Sequence, residues 1–238
     1  MKLLIGFDRY IPKRWADNAL DIYLYPSKYE NGQIETWISQ EITGKETARK
    51  IASQLHKLWL NPRMPCEILR QRVKELNISE GQINRSILHY GMALNVFPLL
   101  RDTSIAIGRL TSLHGQCTRQ EVLQRVVEKY GNPVSLPRAI YRVFQTLEDW
   151  ALLKSEGNRV VVTECLLEDK SLQTWFIEAL VLSRPSGRVA LPELAQAPEN
   201  LGIRVNDLRA CLRASPTLQL LNEGGYSEVV QHAGATAA

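Results

Sequence analysis

Polar side chains suited to reading DNA recur at helical spacing within residues 135–150. Arg138, Tyr141, Arg142 and Gln145 are separated by intervals of three and four residues, so they share one face of a helix. Arginine can form paired hydrogen bonds with guanine, and glutamine with adenine, at the base edges that the major groove exposes. A helix that presents these side chains fits into that groove. We therefore expect these four residues to contact the bases of double-stranded DNA.

Basic residues elsewhere in the chain could contact the phosphate backbone. Counting Lys and Arg against Asp and Glu, residues 1–100 carry 14 against 10, residues 101–168 carry 9 against 8, and residues 169–238 carry 6 against 7. The excess behind the net charge of +4 therefore lies in the first hundred residues. Because lysine and arginine neutralise phosphates, we expect phosphate contacts from Arg49, Lys50, Arg70 and Lys74.

The sequence lacks the common catalytic motifs. Gly44-Lys45 would end a phosphate-binding loop only if position 39 were glycine and position 46 were serine or threonine, and the chain has Ser39 and Glu46 there. Gly-x-Ser-x-Gly, His-Glu-x-x-His and Gly-x-Gly-x-x-Gly are also absent. The sequence therefore predicts a protein that is not an enzyme.

A metal-dependent nuclease is the remaining enzymatic alternative. Asp149 and Glu168 would hold a divalent cation, and Lys170 would position the attacking water. Glu168 and Lys170 fall where a solvated linker is expected, so the sequence favours the linker. We expect no cofactor, structural metal or disulfide, because the cysteines and histidines form no ligand spacing; they lie at 66, 117, 165 and 211, and at 56, 89, 114 and 232.

Composition predicts a cytoplasmic protein without a membrane partner. Apolar residues make up 45% of the chain and charged residues 23%, which is ordinary for a globular protein. No apolar run approaches the roughly 18 residues of a membrane span. The N-terminus lacks the long apolar stretch and the small-residue cleavage site of a signal peptide. Nothing in the sequence indicates a small-molecule substrate.

The first hundred residues are expected to form a helical domain, residues 1–98. Residues 13–24 favour a helix, although alternation over 19–25 also allows a strand. Thr43 and Glu46 have capping-box spacing at the start of a helix that reaches about residue 60. Helices over 65–76 and 80–96 follow, the second capped by Ser79. This pair is either a plain bundle or a helix-turn-helix whose outward face holds Gln82, Arg85, Ser86 and His89.

Residues 99–168 are expected to form a second domain of three helices and a two-stranded ribbon. The helices begin at Asp102, after the capping box of Thr118 and Glu121, and at Ser135. The third helix has an apolar face opposite its polar one, formed by Leu136, Ile140, Val143, Phe144 and Leu147. A glycine turn over residues 155–158 separates the two strands of the ribbon.

Residues 169–231 repeat this plan more loosely and are expected to form a third, degenerate domain. Leu152-Leu153 with a following glycine turn and a valine run matches Leu220-Leu221 with Val229-Val230, at an offset of 68 residues. Residues 232–238 are expected to form a disordered tail. The five tryptophans, at 15, 37, 59, 150 and 175, each fit an apolar helical face, so core packing is expected for all of them.

On this element order, residues 102–164 resemble the winged-helix superfamily, and residues 171–230 resemble it more faintly. The resemblance implies a mainly α fold, with a helical N-terminal domain followed by two winged-helix units, each with a small β-ribbon. It places Arg138, Tyr141, Arg142 and Gln145 in the major groove. It also places Asn158 and Arg159 at the wing, and Asn206, Arg209 and Arg213 on the matching face of the second unit.

Three acids depart from what a DNA-binding winged helix favours, namely Glu148 and Asp149 on the third helix and Glu156 in the wing. Tandem winged helices also serve as protein-binding subunits, and the architecture is similar to small accessory proteins of bacterial phage-defence systems. The leading hypothesis is non-catalytic binding of double-stranded DNA. The alternative is a protein-interaction subunit of a larger complex.

Overall fold

A computed structural model describes residues 6–76, 82–224 and 227–233, with the side chains of residues 82–84 excepted. Helices predominate. They are α1 (Lys13–Leu24), α2 (Gln33–Glu41), α3 (Lys45–Leu55), α4 (Cys66–Val73), α5 (Gln82–Val96), α6 (Pro98–His114), α7 (Arg119–Tyr130), α8 (Leu136–Asp149), α9 (Lys170–Leu182), α10 (Leu191–Ala195) and α11 (Leu208–Ala214). The strands are β1 (Cys117–Thr118), β2 (Leu153–Glu156), β3 (Arg159–Val162), β4 (Cys165–Leu166), β5 (Arg188–Ala190), β6 (Ile203–Arg204), β7 (Leu218–Asn222) and β8 (Glu228–His232).

The N-terminal helices follow the apolar periodicity of the sequence. The helix predicted over residues 13–24 is confirmed as α1, and Trp15, Ala16, Ala19 and Leu20 form its buried face. The strand alternative for residues 19–25 is wrong, because the helix continues to Leu24 and the buried pair at 15–16 recurs at 19–20, an interval of four rather than two. Helix α3 continues through a π-helical turn at His56–Leu60, which buries Leu58 and Trp59.

Residues 98–162, here called the first unit, combine α6, β1, α7, α8, β2 and β3. The strands form an antiparallel sheet in the order β1-β3-β2. The predicted capping box is confirmed at the start of α7, where the Thr118 hydroxyl accepts from the Glu121 amide and Glu121 accepts from the Thr118 amide. Gly157 has a φ of +63°, which closes the β2–β3 turn in two residues.

Residues 170–232, here called the second unit, repeat that order with α9, β5, α10, α11, β7 and β8. Their sheet has the corresponding order, β5-β8-β7, and is also antiparallel. Strand β4, in the segment between the units, pairs in parallel with β6 of the second unit, which ties residues 165–166 to residues 203–204. The short strands β1, β4, β5 and β6 were not predicted, because two or three residues carry no periodicity.

The predicted offset of 68 residues between the two ribbons is wrong in register. Val160 pairs with β1 and Val230 with β5, and both valines are fully buried, so the second strands correspond at an offset of 70. The buried leucines that open the first strands are Leu153 and Leu218, an offset of 65. The two offsets differ because the second ribbon has a longer turn and longer strands. Leu220, which the predicted offset matched to the buried Leu152, is 41% exposed.

One hydrophobic core runs through the helical N-terminal part and both units. Helix α9 packs against α4 and α5, and the Trp175 indole donates to the Leu69 carbonyl at 2.9 Å. Four of the five tryptophans are buried as expected, and Trp37 is partly buried against the core. None of the helices described above is both long and apolar enough to cross a bilayer.

Several predicted helix starts are corrected. The first unit opens at Pro98 rather than at Asp102, because the chain continues as helix through Asp102. The Asp102 carboxylate instead accepts from the Tyr130 hydroxyl at 2.8 Å. Thr43 forms no capping box, because Gly44 precedes α3 without a side-chain cap and Glu46 pairs with Arg49. The predicted cap at Ser79 lies outside the described residues.

The predicted outward face of α5 is also wrong. Ser86 and His89 are buried, and Arg85 pairs with Asp21 at 2.9 Å, because α1 covers this side of the helix. The side chain of Gln82 lies outside the described part. The predicted tail is corrected at its start, since His232 is the last residue of β8 and is buried. Residues 234–238 lie outside the described residues.

Candidate nucleic-acid interface

Helix α8 presents part of the predicted polar face. Leu136, Ala139, Ile140, Val143 and Phe144 are buried, which leaves Arg138 and Tyr141 exposed on the other side. Arg142 and Gln145 are half-buried, and the Arg142 guanidinium donates to the Gln145 side-chain oxygen at 2.6 Å. The first two turns of α8 are therefore open to a partner, and the next turn is partly engaged.

Residues 10–13 cover the C-terminal half of α8. The Ile11 amide donates to the Thr146 hydroxyl at 3.1 Å, and the Trp150 indole donates to the Ile11 carbonyl at 3.2 Å. The Lys13 amide donates to the Asp149 carboxylate at 2.5 Å. Burial and the Asp149 carboxylate raise the pKa of Tyr10 to about 12. Only the N-terminal end of α8 is left for a groove.

A basic cleft opens between α3, residues 6–9 and the N-terminus of α8. It has a volume of about 650 Å³, and five cations line it: Arg9, Arg49, Lys50, Lys57 and Arg138. Positions 49, 53 and 57 follow the spacing of four along the helix, so they point the same way. The cleft therefore joins two predicted phosphate contacts, Arg49 and Lys50, to the predicted groove residue Arg138.

Two carboxylates partly neutralise the basic cleft. Asp8 lies 3.2 Å from Lys50 and 3.7 Å from Arg9. Glu46 lies 2.9 Å from Arg49, and the hydrogen bond from Arg49 lowers the pKa of Glu46. Within the described residues, neither Lys57 nor Arg138 has an ion-pair partner. The cleft is therefore positive, and its two unpaired cations come from opposite walls.

A buried amide also lines the basic cleft. Gln54 is only 3% exposed, and neither its Nε2 nor its Oε1 has a hydrogen-bond partner in the described part of the chain. Buried amides are normally hydrogen-bonded, because leaving them unpaired costs about 1–3 kcal/mol. Facing it, α8 begins at Ser135 without a side-chain cap, so its helix dipole adds positive potential at the cleft.

The predicted wing is short and exposed. Gly157 and Asn158 form its turn, and Arg159 is exposed where β3 begins. The acid predicted to oppose DNA binding on α8, Glu148, is neutralised by Arg119 at 2.6 Å. Arg119 also donates to the Ser155 hydroxyl at 2.9 Å, which ties α7 and α8 to the first strand of the ribbon.

The two remaining predicted phosphate contacts lie on α4 or just after it, outside the basic cleft. Arg70 donates to the carbonyl oxygens of Trp59 and Leu60, each at 2.7 Å, and lies over the Tyr23 ring. Its guanidinium therefore satisfies the carbonyls at the end of the π-helical turn. Lys74 is exposed, with its ammonium 4.6 Å from the Tyr23 ring centroid.

The matching face of the second unit carries less free charge. Arg209 forms two hydrogen bonds with the Glu228 carboxylate of β8. Asn206 and Arg213 are exposed, and the Asn206 backbone N–H donates to the Gln173 side-chain oxygen at 3.2 Å. Helix α11 has seven residues where α8 has fourteen.

Sequence reasoning missed Arg9, Lys57 and Gln54. Lys57 follows Arg49 by eight residues, so the helical period could have identified it. Arg9 carried no such signal, because it reaches the cleft only through the packing of residues 10–13 on α8. Gln54 resembles any other polar residue on an amphipathic helix until the cleft is built around it.

The residues of the nuclease alternative lie in separate elements, Asp149 at the end of α8 and Glu168 and Lys170 around the start of α9. Asp149 accepts the Lys13 amide, while Glu168 and Lys170 are exposed around the start of α9, which Asp169 caps. The described residues contain no group of three or more His, Cys, Asp or Glu side chains placed to hold a metal ion. Compared with known proteins, the chain matches no family model, no curated protein and no solved structure.

Proposed function

We propose that this protein binds double-stranded DNA without catalysing a reaction on it. The observation that carries the proposal is the basic cleft, where Arg49 and Lys50 meet Arg138 beside the open end of α8. These residues are separated by almost ninety positions, yet they line one surface. Phosphate contacts from one wall and base contacts from the other are the two components of specific DNA binding.

The proposed geometry is that of a winged helix. Supporting it, the first unit has the helix order and the strand order β1-β3-β2 in which the third helix enters the major groove and the β2–β3 turn lies beside it. The N-terminal residues of such a helix contact the base edges. Arg138 and Tyr141 occupy those positions and are exposed, whereas the covered half of α8 faces residues 10–13.

In this arrangement the basic cleft holds the DNA backbone. Arg9, Arg49, Lys50 and Lys57 would lie along one strand, and Asn158 and Arg159 of the wing would approach the neighbouring groove. A footprint of three to five phosphates is expected, because two carboxylates offset part of the charge. The logarithm of the binding constant should then fall with the logarithm of salt concentration with a slope of about −2.7 to −4.5.

Fluorescence anisotropy with a labelled duplex tests this proposal over about 50–200 mM salt. The wild type should bind with the slope given above, and Arg138→Ala with Arg142→Ala should weaken binding by roughly tenfold or more. Arg63→Ala with Lys28→Ala removes two exposed cations outside the cleft lining and is the charge-matched control. Absence of binding at the lowest salt would overturn the proposal.

The second unit favours a different partner. Its third helix is short, Arg209 is neutralised by Glu228, and Leu220 is 41% exposed on the edge strand β7. These features suit a protein partner better than phosphates, so we propose a protein-interaction role for this unit. Crosslinking of the second unit to a protein partner should then be unchanged in Arg138→Ala. If this substitution abolished both DNA binding and crosslinking, one surface would carry both activities.

A further inference from the structure

Gln54 occupies an environment that its neighbours do not explain. The amide is buried in the wall of the basic cleft, and among the described residues neither its donor nor its acceptor atom is paired. Its helix neighbours Leu55 and Leu58 are fully buried in the core, so an apolar side chain would fit this part of α3. A buried amide normally has a hydrogen-bond partner, so an unpaired one calls for an explanation, and a bound water, ion or ligand group is one.

The groups around Gln54 have the chemistry of a phosphate site. Lys57 and Arg138 carry unpaired positive charge, and the hydroxyls of Ser53 and Ser135 lie in the same lining. Helix α8, which is fourteen residues long and lacks a side-chain cap, begins at this cleft. Helix N-termini with nearby cations favour tetrahedral oxyanions, because backbone and side-chain donors converge on several acceptor oxygens.

We propose that the basic cleft holds one phosphate group and that the Gln54 side chain, whose amide atoms are closed to solvent in this structure, turns toward the cleft to hydrogen-bond to it. Lys57 and the start of α8 supply the positive potential, and Gln54 supplies a neutral donor. If the phosphate belongs to duplex DNA, the proposal rests on the function proposed above, and Gln54 sets the register of the backbone. The same chemistry would accept a free phosphate monoester, and the experiment distinguishes these two sources.

The variant Gln54→Leu separates recognition from charge, because it keeps the volume and removes the amide. Gln219→Leu, on the exposed face of β7, is the matched control. Inorganic phosphate and a 5′-deoxynucleoside monophosphate are titrated against chloride at equal ionic strength, with side-chain amide signals followed by NMR. Gln54 signals, assigned by their loss in Gln54→Leu, should shift with phosphate and not with chloride.

Binding of duplex DNA supplies the second readout. Gln54→Leu should lower DNA affinity by roughly fivefold at unchanged salt slope, because it removes a neutral group, whereas Lys57→Ala should reduce the slope by about one. The unfolding midpoint of Gln54→Leu should not fall, because this substitution removes a buried amide that has no partner. Gln219→Leu should leave both quantities unchanged.

The outcomes distinguish this inference from the proposed function. A shift of Gln54 with phosphate in a protein that fails to bind duplex DNA supports the site and assigns it to a free phosphate monoester. If Gln54→Leu leaves duplex binding unchanged and the Gln54 signals do not shift with phosphate, the phosphate site is wrong. The proposal of DNA binding is unaffected by that result. A response to chloride equal to that to phosphate also overturns the phosphate site, because the cleft would then be only a positive surface.

Discussion

The first and second units share an order of helices and strands but place their charges differently. In the first unit, Arg138 is exposed at the start of a fourteen-residue helix and is unpaired within the described residues. When the buried positions of α11 are aligned with those of α8, Ala210 corresponds to Arg138. Two acids of the second unit, Glu178 and Glu199, are buried instead. The same order of helices and strands therefore carries an exposed, unpaired arginine in one unit and buried carboxylates in the other.

The buried acid Glu178 explains how the second unit is held in place. Its carboxylate accepts from Arg72 of α4 at 2.6 Å and from Ser215 at 2.6 Å. Arg72 reaches Glu178 because α9 packs over that side of α4. The sequence could not reveal the pair, since 106 residues separate its members.

Breaking this pair should produce the largest effect on stability. Arg72→Met leaves the Glu178 carboxylate buried without its cation, so the free energy of unfolding should fall by about 3–5 kcal/mol in denaturant titrations. The matched variant in the first unit is Arg119→Met, which breaks a more exposed pair with Glu148 and should cost about 1 kcal/mol or less. Equal losses would contradict the contrast between the units. Arg72→Met combined with Glu178→Leu should recover most of the loss.

The junction between the units gives the next largest effect. A Cβ added to Gly108 of α6 would lie 1.8 Å from the carbonyl oxygen of Pro198. Helix propensity alone predicts that Gly108→Ala stabilises by about 1 kcal/mol. We expect destabilisation of about 1–3 kcal/mol, because the backbone of the second unit must move. Ser112→Ala on the exposed side of α6 is the control, and a stabilising Gly108→Ala would mean that the units are not packed closely here.

Buried histidines contribute a smaller, pH-dependent effect. The Trp59 indole donates to Nδ1 of His89 at 3.0 Å, so its Nε2 carries the proton that faces Asp17 at 2.9 Å. Burial lowers the pKa of His89 below its ordinary value of 6.5. The unfolded chain therefore binds a proton that the folded chain does not, and the free energy of unfolding should fall by about 1 kcal/mol per pH unit below 6.5.

A second histidine allows the two units to be compared. Burial also lowers the pKa of His232 in β8, but the charge of Glu178 opposes this shift. Urea titrations between about pH 5 and 7, the range around the ordinary histidine pKa, measure how the free energy of unfolding depends on pH. This dependence should weaken more in His89→Gln than in His232→Gln. The reverse order would contradict the expectation that burial lowers the pKa of His89 more effectively than that of His232.

The sequence predicted the helices whose apolar periodicity or capping residues lie within a few helical turns of one another. Helices α1 and α8 follow from apolar periodicity, and α7 begins at the capping box of Thr118 and Glu121. The cover over α8 could not be predicted, because the bond from Ile11 to Thr146 joins residues 135 positions apart. The basic cleft also forms through long-range packing. The sequence predicts Arg49, Lys50 and Arg138 as DNA contacts, but no local pattern predicts that they line one surface.

The most direct measurement compares one arginine from each unit. Arg138 and Arg213 are both exposed on the third helix of their unit, and neither has an ion-pair partner in the described part of the chain. Duplex-DNA affinity is measured by fluorescence anisotropy for Arg138→Ala and Arg213→Ala across the salt range used above. We predict that Arg138→Ala weakens binding by roughly five- to tenfold, while Arg213→Ala leaves the affinity unchanged. Equal effects of the two substitutions would contradict the assignment of DNA binding to the first unit.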